Sequence, residues 1–318
     1  MTLDPDPSTT VVDVSALAAA HGDFRTELVG AGLLVPTSVP GLYGRSGVFE
    51  DVVEGIDVVV RAAGPGAAAD RYRFPPVFPR DSFERTDYIA SFPHLTGAVN
   101  TFAGDNRAHA ALLAARADGQ SWDGWLTPAD TMLVSAACHP AYAMLAGTLP
   151  PEGRLLDVHG YCFRHEPAVD PARMQAFRMH EFVTVGTAEQ AAAHREQWIG
   201  RGLQVLADLG LAAEAVVAND PFFGRAGRML SANQREENLK TELVVRLYGD
   251  LDAGTAVVSC NCHREHFGAT FGISTAAGDV AHSACVGFGM ERIALGLFRT
   301  HGLDPRGWPA PVRARMQL

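Results

Sequence analysis

The stretch VGFGMERIALGLF, Val286 to Phe298, is the one on which the fold turns. The residues leading into it, AHSACVGF, are small or apolar and suit a buried strand, whereas Ile293, Leu297 and Phe298 recur at helical spacing. The local reading is strand, tight turn, helix. Gly287 and Gly289 carry no Cβ to hold a ligand off the backbone, and Arg292 falls in the first helical turn, beside partial positive charge. That combination suits an anion. An ordinary strand-helix junction with a surface arginine fits the same residues, so the rest of the chain has to discriminate.

With 318 residues, 47% of them hydrophobic, the chain has material for one large domain or two of ordinary size. Its 26 basic and 36 acidic residues leave a net charge of -10, which sets the surface as a whole against nucleic acid. An RNA partner would need a local basic patch. The opening MTLDPDPSTT has neither a basic nor an apolar leader region, and no apolar run reaches the roughly 18 residues of a membrane span, so a cytoplasmic location is expected. Five cysteines make a poor disulfide framework, which leaves free thiols, catalytic thiols or metal ligands.

Residues 1–10 read as a flexible tail and 11–318 as one domain. A helix is expected over Val11 to Gly32 and another over Val48 to Arg61, followed by RYRFPPVFPR, a proline-broken extended segment of the kind found at edges and interfaces. AHAALLAARADG reads as a short helix, and TMLVSAACHPAYAMLAG is apolar with Cys138 at its centre. RLLDVHGYCFRHEP and QAFRMHEFVTVG form a hairpin by pattern, joined by a loop around VDPARM. Thr187 and Gln190 give a capping-box signature for the long helix that ends near Gly210. Strands are expected at AEAVVAN, TELVVRLYG and TAVVSCNCH. Helices first and then mostly antiparallel strands with helices inserted indicate an α+β fold. Neither a Walker-type loop with its lysine nor a strand-borne GxGxxG is present.

In CFRHEP, Arg164 and Glu166 are two apart and are expected on one face of a strand, as are Arg178 and Phe182, four apart, on the second hairpin strand. Arginines with an aromatic ring suit a nucleotide, the guanidinium groups for phosphates and the ring for the base. Cross-strand ion pairs and a core phenylalanine fit equally well.

The trio FRHEP, AFRMHEF and GFGMERIALGLF resembles motifs 2 and 3 of class II aminoacyl-tRNA synthetases, with RMHEF most similar to the seryl type. The resemblance spans roughly Tyr72 to Leu303. It implies an antiparallel sheet flanked by helices and a homodimer, with the proline-rich 72–80 region near the interface. It also implies ATP and Mg²⁺ as cofactors. Arg164 would hold the α-phosphate, Glu166 would contact the adenine, Phe182 would stack on it, and Arg292 would grip the far phosphates. Arg178 would be a further phosphate ligand and Arg173 would lie over the nucleotide.

The chain departs from the seryl enzymes in lacking the long heptad hairpin that holds tRNA, so no tRNA-binding coiled-coil arm is expected. Gly186 stands where they carry a serine-recognising glutamate, and Val257 with Val258 replaces an acid ahead of their Ser-Ser signature. What remains resembles the amino acid:[carrier protein] ligases, truncated relatives that activate a small amino acid and load it on a phosphopantetheine thiol. Glycine or alanine is the substrate this branch implies.

In that branch zinc is held by cysteine, glutamate and cysteine, and Cys138, Glu181 and Cys285 fall at the matching places. Two thiolates and a carboxylate make a sound zinc set with a fourth position open. From their spacing alone, the two cysteines read as small buried hydrophobes, and it is the resemblance that makes them ligands. A local alternative is CNCHREH, with Cys260, Cys262, His263 and His266; Cys162 is expected in the core. PFFGRAGRMLSANQREENLK, a helical insertion near 220–240, offers Arg225, Arg228, Arg235 and Lys240 for docking an acidic carrier protein. A free-standing seryl-type tRNA synthetase and an inactive synthetase-like regulator are the rival readings.

Overall fold

The computed structural model describes residues 13–86, 88–218 and 239–318. The tail 1–10, most of the 220–240 insertion and the docking candidates Arg225, Arg228 and Arg235 lie outside the described residues.

The centre of the fold is a seven-stranded sheet, whose strands are numbered here along the chain. They are β1 (Asp70–Tyr72), β2 (Arg154–Phe163), β3 (Ala176–Gly186), β4 (Ala213–Val217), β5 (Lys240–Val245), β6 (Thr255–Arg264) and β7 (His282–Gly289). The spatial order is β4-β5-β6-β7-β3-β2-β1, antiparallel throughout except for β1, which runs parallel to β2. The fold is therefore α+β, and the RYRFPPVFPR segment splits between this sheet edge and a small three-stranded sheet at Val77–Pro79.

Four helices matter for the site: α1 (Val14–Gly30), α2 (Gly47–Ala63), α3 (Ala188–Asp208) and α4 (Met290–His301). Both α2 and α3 start on a side-chain cap. The Ser46 hydroxyl accepts from the Phe49 N–H at the head of α2, and Thr187 with Gln190 makes the full capping box of α3. In α2 the buried Phe49, Val52, Val53, Ile56, Val59 and Val60 form one apolar stripe at helical spacing. Together α1 to α4 cover one face of the sheet and enclose the larger core. Among the described residues, no helix is long and apolar enough to cross a membrane.

The opposite face carries a second core built on Tyr142 and Phe267, whose rings stack at 3.9 Å. Here β2, β3 and β7 are covered by short helices at His139–Met144 and His266–Phe271. Beside these helices the sheet is left open over β3, β5, β6 and β7.

Phe182 belongs to the first core and not to any nucleotide surface. It is 1% exposed, stacks on Trp198 at 4.7 Å, and leaves no room for a Cβ on Gly64, which would sit 2.6 Å from its ring. The expected stacking role is therefore corrected. Phe182→Leu is predicted to cost about 1–3 kcal/mol of stability through a core void. Chemical denaturation measures that cost, and the KM for ATP should stay at its wild-type value.

Candidate functional site

The open face holds a cavity of about 510 Å³, inside the size range of small-molecule sites. Its floor comes from alternate residues of β3, Phe177, Met179 and Glu181, with Gly287 and Cys285 of β7 beside them. Gly287 pairs across from Glu181, and a Cβ there would stand 2.5 Å from the Met179 side chain. The glycine thus keeps the floor flat.

At one end Cys138, Glu181 and Cys285 converge. All three are buried, and one ligand atom from each lies within 4.8 Å of the others. Their sources are far apart: Cys138 precedes the His139–Met144 helix, Glu181 comes from β3 and Cys285 from β7. Glu181 is oriented by the Ala137 N–H, which donates to Oε1 at 2.9 Å. Burial, with the Cys285 sulfur close by, pushes its carboxyl up to about 7. Cys138 and Cys285 share a hydrogen bond, which together with burial holds the Cys138 thiol well up, and which keeps Cys285 well down against the effect of burial. His263 Nε2 at 3.3 Å and Asn261 Nδ2 at 3.6 Å also reach the Cys285 sulfur. Three acidic groups packed out of water are costly together unless protons or a cation offset them. The donor set fits a divalent, thiophilic ion.

The same cavity is lined by Arg164, Glu166 and Arg292. Arg164 and Glu166 were expected on a strand face, but β2 stops at Phe163, where the ladder ends against Ala176. Pro167 has no N–H for a longer ladder, so both residues open the hairpin loop, residues 164–175. Arg164 lies over the Phe177 ring at 5.5 Å and donates from Nε to the Ser135 carbonyl. Arg292 donates from Nε to Ala172 O at 2.8 Å and from Nη1 to Ala256 O at 3.0 Å. Its partners are neutral carbonyls, so its charge is oriented without being neutralised. Arg173 sits exposed on the loop, 3.5 Å from Glu166.

Arg178 is placed elsewhere. It projects from the helical face of β3, where its guanidinium pairs with the carboxylates of Glu50 and Glu291, the latter at 2.8 Å. Two carboxylates already engage it, so it does not serve the cavity as a phosphate ligand. Lys240 is also corrected. It is 8% exposed, pairs with Glu242 at 3.0 Å and lines the cavity, which removes it from any docking surface.

The CNCHREH alternative does not assemble, because Cys260 points into the helical core while His263 joins the Cys285 end; Cys162 is buried, as expected. A second set of potential ligands, Asp57, His159 and His180, meets on the helical face. There Asp57 pairs with Arg61 and Asp157 with Arg73, so the carboxylates are countered without an ion. The aromatic ring missed from sequence is Phe177. The signal for it was alternation: a strand that turns Glu181 into the cavity turns Met179 and Phe177 there too.

No family model matches the chain. The amino acid–[acyl-carrier-protein] ligase 2 of Bradyrhizobium diazoefficiens is 45% identical over 282 residues, 88% of this chain and 84% of the relative. Ligase 1 of the same organism is 42% identical over 86% of this chain and 84% of the relative. A type-2 serine–tRNA ligase of Methanopyrus kandleri is 30% identical over 58% of this chain and 37% of that protein. Among solved structures, the M. kandleri SerRS in complex with A. aeolicus tRNASec aligns with a TM-score of 0.78 and 22% identity, over 93% of this chain and 60% of that one. The Giardia lamblia prolyl-tRNA synthetase in complex with prolyl-adenylate aligns with a TM-score of 0.63 and 13% identity, over 88% of this chain and 52% of that one. These two likenesses show a class II synthetase fold.

Proposed function

Because the chain belongs to the amino acid–[acyl-carrier-protein] ligases, we propose that it activates a small amino acid with ATP and passes it to a carrier-protein thiol. The observation that carries this reading is that the Cys138–Glu181–Cys285 cluster and the Arg164–Glu166–Arg292 set share one cavity.

Cys138, Glu181 and Cys285 would hold a zinc ion, with Ala137, Asn261 and His263 fixing the ligand atoms by hydrogen bonds. When bound, the ion supplies a Lewis-acid position for the deprotonated amino group of the substrate. The rings of His139, His263 and Phe267 crowd this end of the cavity and favour glycine or alanine.

In the first step the substrate carboxylate attacks the α-phosphorus of ATP, the α–β anhydride bond breaks, and pyrophosphate leaves with its charge. Arg164 and Arg292, together with the Mg²⁺ that accompanies ATP, would offset charge gathering on the phosphate oxygens. Phe177, not Phe182, is the ring in reach of the base, and Glu166 would accept from its amino group. In the second step the carrier thiolate attacks the aminoacyl carbonyl and AMP leaves. No side chain is assigned as a base, since positioning supplies much of the rate in such a transfer.

ATP–pyrophosphate exchange across the twenty amino acids, with and without a zinc chelator, tests the reading. Exchange should appear with glycine or alanine and disappear with the chelator. Exchange with none of the twenty would defeat it.

A further inference from the structure

Arg292 takes its orientation from two carbonyls of unequal firmness. Ala256 O belongs to β6, an interior strand of the sheet, whereas Ala172 O belongs to the hairpin loop. A loop carbonyl is only as well placed as the loop that carries it. What holds this loop is a pair of residues outside the cavity, Asp170 and Tyr248.

Asp170 is 8% exposed, and its Oδ1 accepts both the Ala172 N–H, at 2.9 Å, and the Tyr248 hydroxyl. Its backbone carbonyl accepts from the Arg173 N–H at 3.0 Å. The other carboxylate oxygen lies 3.8 Å from His21 Nε2 and 3.8 Å from Arg173 Nε. Tyr248, 4% exposed, is itself fixed: its ring meets His21 edge-on at 4.5 Å and Phe24 at 6.2 Å, both from α1. The far end of the loop is tied separately. Gln175 donates from its N–H to Gly41 O and from Nε2 to Pro40 O, and a Cβ on Gly41, at φ +78°, would stand 3.0 Å from Arg173 O.

The chain of contacts runs from α1 through Tyr248, Asp170 and the Ala172 peptide to the Arg292 guanidinium. Burial of Asp170 and Tyr248 leaves each with one arrangement that satisfies its polar atoms. We propose that Tyr248 and Asp170 are positioning residues for ATP, clamping the loop so that Ala172 O aims Arg292 into the cavity. This rests on the activation reading above, and it adds residues outside the cavity whose effect is confined to the nucleotide.

ATP–pyrophosphate exchange kinetics of Tyr248→Phe test the clamp, with thermal unfolding measured alongside. The KM for ATP should rise about tenfold, as expected for a lost hydrogen bond to a buried carboxylate, while the KM for the amino acid stays within about twofold. Asp170→Ala should match or exceed that loss, and Asp170→Asn, which keeps an acceptor for the Ala172 N–H, should recover most of it. In an Arg292→Lys background Tyr248→Phe should add little, because the side chain being aimed is gone. A lowered unfolding temperature with both KM values unchanged would overturn the proposal. So would an equal rise in both KM values, or independent multiplication of the two losses. A wild-type chain without exchange overturns the activation reading and the clamp together, which separates that failure from failure of the clamp alone.

Discussion

Cys285→Ser is expected to abolish metal retention and lower ATP–pyrophosphate exchange by about a thousandfold or more, the scale of losing both a Lewis-acid position and substrate alignment. Serine is close to cysteine in shape but does not ionise near neutral pH, and its hard oxygen is a poor zinc ligand. In the native chain the hydrogen bond with Cys138, and then those with His263 and Asn261, already favour the Cys285 thiolate. With serine there, Cys138 and Glu181 remain, too few to hold an ion tightly. Cys138→Ser should have the same effect. Cys162→Ala and Cys260→Ala are the controls: both thiols are buried apart from the cluster, so these variants should lose some stability and keep their metal. Metal content by elemental analysis and exchange rates check the prediction. A Cys285→Ser chain that retains stoichiometric metal would refute it.

Arg292→Ala is expected to reduce kcat/KM for ATP by about 10²- to 10³-fold, the range for removing one preorganised charge-stabilising group. The guanidinium is held by Ala172 O and Ala256 O and keeps its full charge for an anion. Lysine should rescue little. An ammonium lacks the planar fork that binds two carbonyls while presenting a further N–H edge to a phosphate. The KM for the amino acid should change far less if, as proposed, that substrate is held at Glu181. Steady-state exchange kinetics with each substrate varied in turn separate the two. Equal losses for both substrates would mean that Arg292 supports the whole cavity and not the nucleotide.

The α+β class, the hairpin and the strand-helix unit at residues 286–298 were legible because each has a local cause. The capping box at Thr187 and Gln190, the proline break after Tyr72 and the apolar stripe of α2 all act within a few residues of themselves. The site divides differently. Cys138, Glu181 and Cys285 carry no local signature, and only the motif resemblance predicted that they meet; the structure brings them together. The side of β3 that faces the cavity is labelled only by Glu181, through the motif resemblance, and not by hydrophobicity. Both faces of that strand are covered, so apolar residues occur on each and period-two alternation leaves the faces unlabelled. Phe182 is the ring that the motif resemblance implies, whereas Phe177 is the one that lines the cavity. Arg178 was misassigned for a related reason, since its partners Glu50 and Glu291 lie 128 and 113 residues away and no spacing rule connects them. Lys240 reads as a surface charge until the ladder pairs it with Asn261 on the cavity side.

Anomalous diffraction at the zinc edge, on crystals of the full chain grown without chelator, probes the Cys138–Glu181–Cys285 cluster most directly. The structure predicts one strong peak about 2.3 Å from the sulfurs of Cys138 and Cys285 and about 2.0–2.2 Å from a Glu181 oxygen. A peak at Asp57, His159 and His180 instead, or a bond joining the two sulfurs with no peak beside them, would contradict it.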